Sequence, residues 1–153
     1  MSSMNADDLA QGYSPYYFLG GDTTFEEKPE SALDWISIVR KGFSVHAVEK
    51  ALDTLNIPRA VLTGALGMSE RTLSRRLKAG STLTADDSAK LLRLARVFSQ
   101  AVDVFEDADS ANQWLKAPNP SLDNAVPLTL LDTEVGGEMV ADALGRIEHG
   151  IFA

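Results

Sequence analysis

Between Ile57 and Lys78 the chain reads IPRAVLTGALGMSERTLSRRLK, two short helical patterns joined at a single glycine. Pro58 opens the first pattern, because a proline in the first turn of a helix gives up no hydrogen bond it would otherwise make. That helix is expected over Pro58 to Ala65, burying Ala60, Val61 and Leu66. Gly67 supplies a sharp turn, since a residue without Cβ enters positive φ at little cost. Met68 packs back as the apolar residue of the turn, and Ser69 caps a second helix. On that second helix Leu73 and Leu77 are four apart and face the core. Two helices in this order must cross, and the second must show its other side to solvent.

That other side is basic. Arg71, Thr72, Arg75 and Arg76 fall opposite the leucines, with Ser74 between them and Lys78 at the end. Arginine suits bidentate contact with guanine edges, Ser and Thr serve bases or phosphates, and a terminal lysine suits phosphate. The run Ala65-Leu66-Gly67-Met68-Ser69 followed by Thr72-Leu73-Ser74-Arg75 has the order of residue types of a DNA-reading helix-turn-helix. The expected DNA contacts are Ser69, Arg71, Thr72, Ser74, Arg75, Arg76 and Lys78. The bland alternative is a solvated basic face on an inherited fold. One such domain binds weakly, so a homodimer reading an inverted repeat in operator DNA is expected.

The 153-residue chain is nevertheless acidic, with a formal charge of −8. The imbalance is local. Residues 1–34 hold seven acids and one lysine, and residues 100–153 hold ten acids and two bases, whereas 57–78 hold five bases and one acid. A uniformly acidic surface would be repelled by phosphates, but a focused basic patch still docks. The asymmetry points to separate surfaces with separate partners.

The remainder reads as helix. Ser31 caps a first helix with apolar Leu33, Ile36 and Val39, stopped at Gly42. Ser44 caps a second with Val45, Val48, Leu52 and Leu55, ended by Asn56. His46 lies beside that stripe, as a boundary histidine. Thr84 starts a long helix to about residue 106, with Asp86 and Asp87 at its positive end. Its broad face of Leu91, Leu92, Leu94, Ala95, Phe98, Val102 and Phe105 suits a bridge between two layers. Ser110 caps a short helix ending at Pro118, and three prolines then make a rigid connector. Thr133 caps a last helix with Val135, Met139, Val140, Leu144 and Ile147 on one face, closed by Gly150. Residues 1–30 show no sustained period. They read as an arm packed on the domain or as an extended one in which Tyr13, Tyr16, Tyr17 and Phe18 grip a partner. The expected fold is all-α: an arm (1–30), a helix-turn-helix bundle (31–106) and a small helical domain (107–153).

Several chemistries find no support. There is no cysteine, and His46 and His149 are far apart, so no metal site and no cofactor are expected. No Ser/His/acid constellation or phosphate-binding glycine loop is present, and Gly136-Gly137 alone is weak, so no catalytic residue is assigned. The N-terminus lacks a secretory pattern and no apolar run approaches a membrane span, which makes a cytoplasmic protein with no membrane partner the expectation.

Residues 114–153 resemble the toxin-binding domain of the Xre/MbcA/ParS antitoxins. The resemblance rests on Trp114-Leu115, Pro118-Asn119-Pro120, Pro127-Leu128 with Leu130-Leu131, Gly136 and the Ile147 to Gly150 ending, while 57–78 fit the Xre-like helix-turn-helix of that family. It implies an antitoxin paired with a RES-domain toxin, similar in fold to ADP-ribosyltransferases, that consumes NAD or modifies a protein with it. It implies further that the C-terminal end lies at the toxin's active-site cleft and that the helix-turn-helix represses the operon. Mapped here, the toxin-binding residues are Glu138, Asp142, Arg146, Glu148, His149, Ile151, Phe152 and Ala153. The competing reading is a stand-alone repressor whose C-terminal half only dimerises or senses a ligand.

Overall fold

The structure, a computed structural model, describes residues 14–80 and 82–150 and is all-α over them. Its helices are α1 (Pro15–Phe18), α2 (Ala32–Lys41), α3 (His46–Leu55), α4 (Arg59–Leu66), α5 (Glu70–Ala79), α6 (Ala85–Phe105), α7 (Ala108–Lys116) and α8 (Glu134–Glu148). Single 3-10 turns stand at Gly21–Thr23, Pro120–Leu122 and Pro127–Leu130. Among the described residues extended pairing is limited to two isolated bridges, Ser44 with Thr82 and Asn119 with Ala125.

The caps explain the helix starts. Ser31, Ser69, Thr84 and Thr133 each accept the N–H three residues on, from Asp34, Thr72, Asp87 and Gly136. Each such bond satisfies one of the orphan donors of a first turn and contributes about 1 kcal/mol. Ser110 does not cap α7. Asp107 does, accepting both the N–H and the hydroxyl of Ser110, so the helix starts earlier than the serine suggests. Ser44 accepts the His46 N–H, but α3 itself begins one residue later than expected. The stops fall at residues in the left-handed region: Asn56, Gly67, Gly80 and Glu106.

Helix α6 is the axis of the core. It buries Leu91, Leu92, Leu94, Ala95, Val97, Phe98, Ala101 and Val102, with Arg93 and Gln100 half-buried and Arg96 and Asp103 exposed on its remaining side. Against it pack α1 through Phe18, whose ring meets Phe98 edge-on at 4.8 Å, as well as α2, α3, α4, α7 and α8. A single apolar cluster runs from Tyr16 to Leu144, so both halves share one core. The N-terminal residues 14–25 belong to it. Phe18, Leu19 and Phe25 are buried, Tyr16 hydrogen-bonds Asp22, and burial first, then that acceptor, pushes the Tyr16 phenol up to about 12. Tyr13 lies outside the described residues.

Three helices differ from their expected faces. On α2 the inner side is Trp35, Ile38 and Val39, all partly exposed, while Leu33 is 76% and Ile36 43% exposed. On α8 the buried arc is Gly136, Gly137, Val140, Ala143 and Leu144, which turns Val135 and Met139 outward. The reason is close approach. A Cβ on Gly136 would lie 1.8 Å from the Leu130 carbonyl oxygen, and one on Gly137 would lie 2.8 Å from Arg93 Cδ. On α4 the buried residues are Leu62, Thr63, Ala65 and Leu66, and Ala60 is exposed rather than packed.

Gly136→Ala is therefore expected to lower stability by about 2 to 3 kcal/mol, as overpacking against an immovable neighbour does. Urea unfolding checks it. A midpoint equal to that of the natural chain would mean that α8 and the Pro127–Leu130 turn are not in this contact.

Candidate functional site

Helices α4 and α5 form the helix-turn-helix. Gly67 turns the chain at φ 65°, its neighbour Met68 returns an N–H to the Thr63 carbonyl, and Ser69 starts α5. Lys90 closes the C-terminal end of α4 from α6, donating to the Leu66 carbonyl at 3.3 Å while pairing with Asp86. A cation on the negative end of a helix is favourable. Leu73 is fully buried and Leu77 partly so, which fixes the roll of α5.

That roll sorts the seven expected DNA contacts. Arg71, Ser74, Arg75 and Lys78 are exposed at spacings of three, four and seven, a single outward stripe. Thr72 is half-buried on its flank, hydrogen-bonded to the cap hydroxyl of Ser69 at 3.0 Å. Arg76 is on the other flank, half-buried and paired with the largely buried Asp87 of α6. It is committed to holding α5 against the first turn of α6 and does not join the stripe. A residue outside the expected set does. Arg59, the first residue of α4, donates from Nη2 to Ser74 Oγ at 3.0 Å, which adds a fourth cation to the exposed face. Its position just after Pro58 was the available signal.

The second surface is α8. Val135, Met139, Asp142, Arg146 and His149 recur at helical spacing and are all exposed, and Glu138 flanks them, whereas Glu148 is exposed on the side of α8 nearer Asp103 of α6. Of the eight residues mapped to partner binding, four (Glu138, Asp142, Arg146 and His149) are on or beside one solvent face, Glu148 is exposed to one side of it, and Ile151, Phe152 and Ala153 lie outside the described residues. Sequence reasoning missed Val135 and Met139 as surface groups because it counted them into the core. Beside the helix runs a groove of about 720 Å³ in which Arg93 and Arg96 of α6 face Glu134 and Glu138. Arg93 also donates to the Leu131 carbonyl at 3.2 Å and Gln100 to that of Ala141 at 3.0 Å, fixing α8 against α6. Near the C-terminal end of α8, partial burial first and the Glu148 charge second raise the Asp103 carboxyl above its ordinary 3.8.

Residues 100–150 match the family model described as the antitoxin Xre/MbcA/ParS C-terminal toxin-binding domain, and residues 34–96 match the antitoxin Xre-like helix-turn-helix domain. The protein named Antitoxin Xre of Yersinia enterocolitica serotype O:8 / biotype 1B is 34% identical over 119 residues, covering 77% of this chain and 80% of that one. The chain belongs to the Xre antitoxin family. Antitoxin Xre of Photorhabdus laumondii subsp. laumondii is 37% identical over 118 residues, 76% of this chain and 80% of its own length. A protein of Sphingobium sp. named Prs ADP-ribosylating antitoxin is 28% identical over 132 residues, 80% and 83% of the two chains. The chain thus carries a helix-turn-helix domain and a toxin-binding domain of that family, and the two matches end and begin inside α6. Among the described residues no helix is long and apolar enough to cross a membrane.

The raised Asp103 value has a definite sign. The folded state holds a proton that the unfolded chain has already released, so stability falls as pH rises from the ordinary carboxylate value through the folded one. Glu148→Gln removes the smaller cause. Carboxyl NMR titration is expected to show Asp103 shifting down but staying above 3.8, because burial remains. No movement would mean that the two carboxylates do not sense each other.

Proposed function

We propose that this antitoxin neutralises a RES-domain toxin, similar to ADP-ribosyltransferases, by covering its NAD-binding cleft with the outer stripe of α8 and the Ile151–Ala153 tail. As a homodimer it represses its own operon through α5. The observation that carries the toxin reading is the stripe itself. Val135 and Met139 stand 67% and 45% exposed on the helix of a toxin-binding domain, with acids around them. Large apolar groups at the centre of a charged ring are the pattern of an interface whose core excludes water while its rim stays polar. A cleft that holds a pyrophosphate must be electropositive, and Glu138, Asp142 and Glu148 complement such a cleft. No chemistry is asked of this chain, only occupancy.

The DNA reading rests on the stripe Arg71, Ser74, Arg75 and Lys78, with Arg59 beside it. Arg71 in the first turn of the second helix and Arg75 one turn on are placed to reach base edges, and Lys78 stands nearer the phosphates. Arg76 serves by posture, since its pair with Asp87 holds that helix in place. A dimer places two such helices on the two halves of an inverted repeat.

Val135→Glu with Met139→Glu is expected to weaken toxin affinity by about 30-fold or more, the scale of losing interface hot spots. Operator binding is expected to stay unchanged. Arg71→Ala with Arg75→Ala should do the opposite, weakening operator DNA at fixed salt and flattening the salt dependence. Co-purification with the toxin and mobility shifts on the same proteins separate the two arms. Undiminished toxin capture by the α8 variant would remove the stripe from the toxin interface.

A further inference from the structure

We propose that the outer face of α2 is a twofold interface, on which a second copy of this chain lays its own α2 antiparallel. The proposal rests on the dimeric reading above and goes beyond it by assigning the face and the orientation.

Helix α2 is well formed, capped by Ser31 and amphipathic, yet none of its residues is buried. Its outward side is a stripe of Leu33, Ile36, Ser37 and Arg40 at spacings of three, four and seven, all exposed. Ile36 and Arg40 continue into one wall of a groove of about 710 Å³, which Pro15, Pro29, Trp35 and Leu92 line on its other sides. Isolated exposed apolar residues are ordinary, but a helix stripe that runs into an apolar groove is a contiguous patch of the kind that marks an interaction surface.

The charges select the occupant. Glu30 lies just before the helix and Arg40 at its last turn, so an acid and a base flank the apolar centre at opposite ends, about 15 Å apart along a helix. Both are exposed, and neither takes part in an ion pair among the described residues. A twofold axis requires one patch to complement itself. Antiparallel packing brings Glu30 of each copy to Arg40 of the other, twice, whereas parallel packing sets like charges together. Ser37 at the centre is small enough for the two helix backbones to come close, and Leu33 and Ile36 then fill the space around it. A partner of single-signed charge would match one end and oppose the other.

The test is the solution mass of the full chain, by sedimentation velocity across a concentration series, with circular dichroism as the check on folding. The natural chain is expected to be a dimer, and Leu33→Glu with Ile36→Glu a folded monomer. Glu30→Arg alone, or Arg40→Glu alone, sets like charges at both ends and is expected to weaken dimerisation about tenfold or more. The two reversals together are expected to restore it. A monomeric natural chain would overturn the dimeric reading itself. A dimer indifferent to all of these changes would leave that reading standing and overturn this interface. Single reversals that weaken the dimer without rescue by the pair would overturn the antiparallel orientation.

Discussion

The described residues of this chain are hung on one buried helix. Helix α6 is covered on every side but that of Arg96 and Asp103, and removing its apolar area from water is the largest stabilising term available to a chain this size. Its first turn holds Asp87, which takes Arg76 from α5; its middle carries Phe98 against the N-terminal Phe18; Gln100 holds α8 by the Ala141 carbonyl, and Arg93 holds the Leu131 carbonyl just before it. The two functional helices never need to recognise each other. Each is positioned separately against the same rigid element, α5 by the Arg76–Asp87 pair and α8 by the Gln100 hydrogen bond to Ala141.

Electrostatics divides the labour between them. The cations of α4 and α5 that point outward sit in an acidic body, so the positive field is confined to one face. One arginine of that cluster is withdrawn. Arg76 pairs with an aspartate that is itself half of a helix start, since the Asp87 N–H is bound by Thr84. Breaking such a partly buried pair leaves a carboxylate short of its partner, so losing Arg76 costs stability even where the intact pair adds little to it. On α8 the arrangement is inverted, with apolar Val135 and Met139 held out among acids.

Much of this was legible in the sequence where the cause is local. The Ser31, Ser69, Thr84 and Thr133 caps, the Gly67 turn and the Leu73–Leu77 roll depend on neighbours within a turn or two, and residue type alone shows them. The all-α fold and the antitoxin family follow from those patterns and the 114–153 run. What was not legible depends on distant partners. Glycine adds nothing to a hydrophobic stripe, so the stripe on α8 was drawn through Val135 and Met139, whereas Gly136 and Gly137 go inward to meet Leu130 and Arg93. Arg76 is indistinguishable from Arg75 until Asp87, eleven residues on, comes beside it. The segment 14–25 has no period because each of its pieces is a single turn, yet its aromatics close one side of the core.

Separate anchoring of two surfaces on α6 is the central claim, and hydrogen exchange read by mass spectrometry tests it most directly. The antitoxin would be compared free, with its toxin, and with operator DNA. Toxin is expected to slow exchange in the α8 peptides and leave those of α5 at the free rate, while operator DNA does the reverse. Toxin protection centred on α5, or an α8 that exchanges at the free rate in the toxin complex, would contradict the account.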